Sequence, residues 1–296
     1  MDTRQFDGYE TLRLHTKESE LLLDPSRGLT VVSYKVQGRE SVFYDHERKE
    51  LGKTYGIPLL FPTPNRVRND KYTFEDKEYQ GQMHGFARLM PFHIEKATAQ
   101  SVTGTMEFSP KFPLFPFSSV LSLTITLSGT DIRWDYALEN KGDRDIPFGI
   151  ALHPFFLKQG KTHFATTATL AMETDADLLP TGAVHPVDYQ LPTDADTVHL
   201  DTVFCNPDNN VITCLSSDTF LFTISGSPEF RHVVIYTPEG KPFVCIEPQS
   251  CSTDCVNLDA KAGRKLSGLQ VVRPGETAKG FMMIFATTCS HGISRP

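Results

Sequence analysis

Two short stretches each place one titratable side chain in an otherwise apolar setting. The first is Phe148-Gly149-Ile150-Ala151-Leu152-His153-Pro154-Phe155-Phe156, and the second is Pro242-Phe243-Val244-Cys245-Ile246-Glu247-Pro248. Both are short apolar runs of the kind that form buried strands. In both, the titratable residue precedes a proline, which pushes the preceding residue out of the helical region toward extended backbone. The reading is therefore of an imidazole and a carboxylate at two strand ends, where burial and neighbours can move their pKa values. Such a pair can accept and deliver protons at neutral pH. Either residue alone also fits a hydrogen-bonded core position, so further residues must decide.

Three more segments set polar side chains among apolar or turn-forming neighbours. Asn65 and Arg66 follow the run Gly56-Ile57-Pro58-Leu59-Leu60-Phe61-Pro62-Thr63-Pro64, and both carry several donors suited to hydroxyls or a carboxylate. His84 stands beside Gly85 in Gln82-Met83-His84-Gly85-Phe86-Ala87-Arg88, where glycine permits close approach of the backbone to a ligand. Asp201 lies between apolar residues in His199-Leu200-Asp201-Thr202-Val203-Phe204. Taken singly, each has a plain alternative as a surface arginine, a turn histidine or a capping aspartate.

The elements that would position these residues read as strands. Leu121, Leu123, Ile125 and Leu127 alternate with polar residues, as do Ile132, Trp134, Tyr136 and Leu138, and Ser128-Gly129-Thr130-Asp131 lies between the two runs. That is a β-hairpin with one buried face. Further strands are expected at 20–23, 29–37, 100–108, 219–225, 233–237, 243–247 and 281–286. Helical periodicity is scarce; the charged stretch 45–53 has room for a turn or two. Many strands separated by turn residues predict an all-β protein, a large antiparallel β-sandwich, with 1–296 as one domain. Parallel sheet is disfavoured because crossover helices are missing.

A formal net charge of −7 and the lack of a basic stripe argue against nucleic acid as a partner. No apolar run approaches the roughly 18–20 residues of a membrane span, and Met1 to Gly8 carries no apolar signal core, so a soluble cytoplasmic protein is expected. The six cysteines then read as free thiols. Cys251 and Cys255 lack a second close pair, so no metal is expected. Neither a Gly-x-Ser-x-Gly elbow nor a phosphate-cradling loop is present.

The order Asn65-Arg66, His84-Gly85-Phe86, His153-Pro154-Phe155, Asp201, Glu247 resembles the aldose 1-epimerase (galactose mutarotase) family. The segment from Asn65 to Phe74 is similar to its Asn-Arg loop, and Leu179-Pro180-Thr181-Gly182 to one of its turns. The resemblance runs from about Leu22 to about Phe285. It implies a β-sandwich with a sugar cleft, interconverting the α and β anomers of a free hexose without cofactor. It further implies Glu247 as general base, His153 as general acid, and His84, Arg66 and Asp201 as sugar-binding residues. His84-Gly85-Phe86-Ala87-Arg88 also resembles a branch acting on hexose 6-phosphates. On that alternative Arg66, Arg68, Lys71 and Arg88 would contact phosphate. A non-catalytic carbohydrate-binding sandwich is the remaining alternative, and it leaves the acid and base without a task.

Overall fold

A computed structural model describes residues 2–289. Its strands pair antiparallel throughout, apart from one parallel bridge between Phe61 and Gly85. The predicted hairpin forms as Ser119–Ser128 and Asp131–Asn140, in a register that sets Leu127 against Ile132 and Leu121 against Leu138. It lies within a nine-stranded sheet running from Thr193–Asp194 at one edge to His93–Ala97 at the other. The alternating residues Leu121, Leu123, Ile125, Ile132 and Trp134 all point into one main core. Ser122 and Thr124, one residue out of phase, stay partly exposed on the other face.

An eight-stranded sheet faces this one. Its central order is Leu170–Thr174, Asp201–Cys205, His232–Tyr236, Phe243–Gln249, Ala151–Leu152, Leu59–Leu60. Val233, Ile235, Val244 and Ile246 enter the same core as the hairpin. The intervening residues turn the other way. Phe155, Phe243 and Cys245 form one small cluster there, and Val203, Val234 and Cys205 form a second beneath Leu258. The two faces thus separate by the period of two: one seals the sandwich, and the other floors a concavity. A five-stranded sheet from Thr3–Phe6 to Arg39–Glu40 joins the main core through Leu21, Leu23 and Tyr34.

The structure departs from the sequence reading in three places. The stretch around His153 forms three short strands, Ile146–Phe148, Ala151–Leu152 and Phe155–Leu157, with His153 and Pro154 in the break between the last two. The strand bearing Glu247 does not end there but runs through Pro248 to Gln249. Proline is tolerated because the neighbour on that side is itself interrupted at His153-Pro154, so the missing donor weakens no continuous ladder. A helix, Cys255–Ala262, was not apparent in the sequence. It is short, and it is held by burying Cys255, Val256 and Leu258 rather than by strong periodicity. The expected turn at 45–53 is the helix His46–Glu50, capped by the Asp45 side chain on the Arg48 N–H. No helix among the described residues is long and apolar enough to cross a membrane.

Candidate active site

Strand register brings His153 and Glu247 together. Ala151 pairs with Gln249 and Phe155 with Cys245, so His153, midway on one strand, falls opposite Glu247, midway on the other. His153 Nδ1 lies 3.3 Å from Glu247 Oε1. The break at His153-Pro154 releases the imidazole from regular pairing, while the His153 backbone N–H donates to the Pro58 carbonyl. The ring stacks on Phe155 at 4.5 Å, nearly parallel. Only 6% of His153 and 2% of Glu247 is exposed, so both groups reach solvent solely through the cleft.

Register also supplies Asp201. It pairs with Tyr236, which pairs with Cys245, so Asp201 shares a face with Glu247 two strands away. Arg66 reaches over from its loop and donates to Asp201 Oδ2 at 3.3 Å. The loop is set by Asn65, whose side-chain oxygen accepts both the Arg66 N–H and an Arg66 guanidinium N–H.

His84 arrives through unusual backbone. Asn65 and His84 both have positive φ, 62° and 64°, in the left-handed region that few non-glycine residues adopt. The His84 N–H donates to the Asn65 carbonyl, tying the two loops to each other. Gly85 continues the turn at φ 63°, and a Cβ there would stand 2.0 Å from the Phe61 carbonyl oxygen. Glycine is therefore required for that chain to lie against the Phe61 strand. The result sets the His84 ring 5.2 Å from that of His153.

These side chains line one cleft, together with Arg48, Thr54, Met83, Phe155 and Tyr236. It encloses about 170 Å³, several times the roughly 30 Å³ share of one water. His84 Nδ1 and His153 Nδ1 are buried and make no hydrogen bond within the protein. Buried polar atoms are rarely left so, and two in one cleft leave it ready for a polar ligand.

Burial works on His153 and Glu247 in opposite directions. It lowers the His153 pKa well below the usual imidazole value, helped by His84 and by Arg48. It raises the Glu247 carboxyl well above its usual range, with the Asp201 charge adding to the effect and the Gln249 amide opposing it. In each case burial works against the charged form of the group. His84 is pushed down to about 3, first by burial and then by Arg88, Arg66 and Arg48, so its ring is neutral.

Arg88, expected as a substrate contact, does not line this cleft. Its guanidinium donates to the Gly52 carbonyl and sits with Arg27, Lys49 and Tyr55 behind the cleft wall. Arg68 is committed to Asp175 and Lys71 to Glu78, so of the four cations considered for phosphate only Arg66 reaches the cleft. Arg48 and Tyr236 were missed. Tyr236 was legible as the register partner of Asp201 only once the pairing was known; Arg48 sits in a charged helix that reads as plain surface. Among the described residues, His153, Cys245 and Glu247 are close enough to share a metal ion, their ligand atoms lying within 4.8 Å. Burial holds the Cys245 thiol well above its usual pKa.

The family model for aldose 1-epimerase matches residues 12–284. The chain belongs to the aldose 1-epimerase family. Among solved structures it is similar to the Slr1438 protein of Synechocystis sp. PCC 6803, at 26% identity over 97% of this chain and 100% of that one, with a TM-score of 0.78. A galactose mutarotase-like protein of Clostridium acetobutylicum has the same fold, with a TM-score of 0.84 at 19% identity, over 97% of this chain and 98% of that one. Galactose 1-epimerase of Lactobacillus acidophilus does too, with 0.75 at 12%, over 96% and 97% of the two chains. The uncharacterized protein YihR of Escherichia coli is 28% identical over 120 residues, which is 37% of this chain and 39% of that relative's length.

Proposed function

We propose that this member of the family interconverts the α and β anomers of a hexose by acid/base ring opening and reclosure. With a proton on His153 and Glu247 ionised, Glu247 takes the proton from the C1 hydroxyl, and that oxygen's electron pair forms the aldehyde C=O. The bond from C1 to the ring oxygen breaks, and His153 delivers its proton to that oxygen. Rotation about C1–C2 followed by the reverse transfers closes the ring on the other face and restores both groups. His84, neutral and with a free ring nitrogen, hydrogen-bonds the sugar near the ring oxygen. Arg66 and Asp201, already paired with each other, orient hydroxyls from the opposite side.

The observation that carries this reading is the closeness of the pair, 3.3 Å between His153 and Glu247. The C1 hydroxyl and the ring oxygen share one carbon, so one acid and one base side by side serve both. A glycosidase needs its two carboxyl groups about 5 Å apart or more. The test is polarimetry on a freshly dissolved α-hexose, comparing the protein with Glu247→Gln, which keeps the shape but cannot accept the proton. Turnover is expected to fall about 10²–10⁴-fold. A folded variant with near-normal anomerisation overturns the assignment, and a wild-type protein that leaves the spontaneous rate unchanged would be a binder instead.

A further inference from the structure

Among the described residues, one hydrogen bond holds the Glu247 side chain, and it comes from a residue that does not line the cleft. Gln249, two positions further along the same strand, donates from Nε2 to Glu247 Oε2 at 3.2 Å, while Glu247 Oε1 faces His153. Gln249 is fully buried, and its Oε1 has no partner. His232 stands directly opposite Gln249 on the adjacent strand, so the two side chains are cross-strand neighbours on one face. His232 Nε2 lies 2.9 Å from the Leu266 carbonyl, which can only accept, so that nitrogen carries the ring's proton. Burial pushes the His232 pKa down to about 4, which keeps the ring neutral and its Nδ1 a bare acceptor. That Nδ1 too is buried without a partner.

Two bare acceptors on neighbouring side chains are an unsatisfied arrangement, and one change satisfies both. A half-turn of the Gln249 amide points its N–H groups at His232 Nδ1 and its Oε1 at Glu247. That oxygen can only accept, so the arrangement closes when Glu247 carries a proton and donates a hydrogen bond. Resting on the anomerase reading of the same site, we infer that Gln249 is a positioning residue for Glu247, a two-way amide. In one orientation it bonds the carboxylate; in the other it bonds the carboxylic acid, with His232 as the acceptor that completes the set. Ring opening puts a proton on Glu247 and reclosure removes it, so the base passes through both forms in every turnover. A donor fixed in one orientation would serve only one of them, and an unpaired buried polar atom is costly. The other groups around the two side chains are placed differently. Glu247 faces His153, Asp201, Arg66 and Cys245, none of which lies between it and His232 along the pairing. Arg231, the charge that acts on His232, donates to the Pro228 and Pro207 carbonyls. Arg264 and Lys265, beside Leu266, are turned to Asp259 and Asp208.

The first measurement needs no variant to fold. In wild-type protein isotopically labelled at histidine nitrogen and glutamate carbon, NMR follows His232 Nδ1 and the Glu247 carboxyl as pH is lowered. The Nδ1 resonance is expected to change from a bare to a hydrogen-bonded acceptor over the same pH interval in which Glu247 gains its proton. An Nδ1 resonance that stays constant while Glu247 titrates overturns the inference. The second measurement is kinetic. Gln249→Met keeps the shape of the side chain and removes its hydrogen bonds. Its kcat for anomerisation should fall about 10- to 100-fold, the span of a hydrogen bond to a charged group, with KM little changed. His232→Leu should lower kcat about 2- to 10-fold, as for a bond between neutral groups. It should cost nothing further when Gln249 is already Met, because its contribution passes through the amide. A His232→Leu effect undiminished in that background marks a structural role and overturns the two-way amide. A folded Gln249→Met protein as fast as wild type also overturns it, and leaves the anomerase reading intact. A wild-type protein without anomerisation overturns that reading instead, and the NMR titration still decides whether the amide turns.

Discussion

The hairpin Ser119–Asn140 and the paired stretches Ala151–Leu157 and Phe243–Gln249 are both antiparallel, yet they differ in regularity. The hairpin pairs without interruption from Ser119 with Asn140 to Ser128 with Asp131. Its alternation of buried and more exposed residues is strict. The second pair is broken on one strand at His153-Pro154 and carries a proline inside the other. Its inward residues Val244 and Ile246 still pack, but the opposite face is given over to titratable groups. An unbroken ladder holds shape; an interrupted one frees a side chain to touch a ligand while the flanking pairs keep it in place.

The sharpest way to break the contrast is to remove chemistry from the second region alone. His153→Asn retains a donor that cannot release its proton. Like Glu247→Gln, it should lower turnover about 10²–10⁴-fold with secondary structure unchanged by circular dichroism. The double variant should lose far less than the product of the two single losses, because the groups act as a unit. Multiplicative losses would mean that the two residues work independently.

The hairpin should behave in the opposite sense. Trp134 is 1% exposed in the main core, and Trp134→Ala should cost about 3–5 kcal/mol of stability in denaturant titration. Well below its melting temperature the variant should keep the wild-type KM. A change in KM at full folding would show that the two regions are not separable in this way.

The pH profile of kcat/KM probes the shared proton. Turnover requires the pair with one proton; it should fall on the acid side when a second proton arrives and on the basic side when the last one leaves. Because burial lowers His153 and raises Glu247, the limbs belong to the pair, with the acid limb below the ordinary imidazole value. A profile with a single limb across pH 4–10 contradicts a two-group mechanism.

The smallest effect concerns stability. Glu247 is ordinarily a group of pKa 4.5, and folding raises it, so its protonated form contributes stability in full below that value. The contribution is lost as pH rises from 4.5 through the folded-state value. Glu247→Gln carries no such cost, and should melt about 2–4 °C above the wild type at pH 8 for each kcal/mol regained, with the gap closing toward pH 4. A gap that does not vary with pH would place the effect in packing rather than in charge.

Most of the architecture was legible because strict alternation at Leu121–Leu127 and Ile132–Leu138 leaves few other readings. His153, Glu247, Asp201, Arg66, Asn65 and His84 were legible as polar interruptions in apolar or turn-rich stretches, and the structure draws them to one cleft. Arg88 was misplaced because it stands one 3₁₀ turn beyond His84, and that turn rotates its side chain to the far side of the wall. Arg48 was invisible because a charged helix of five residues gives no sign of which side chain faces inward. Local pattern reports which residues are unusual; long-range register decides which of them meet.

The pairing that sets His153 opposite Glu247 joins strands separated by the whole intervening chain, including four further strands of the same sheet. Closing so distant a contact is a late and entropically costly event in folding. On the proposed function, activity is therefore a clock for completion of the sheet. In refolding from denaturant, Trp134 fluorescence reports the local hairpin and should recover first, and anomerisation should return only with the slowest folding phase. A nascent chain still lacking the Phe243–Gln249 strand is catalytically silent however well its hairpin has formed.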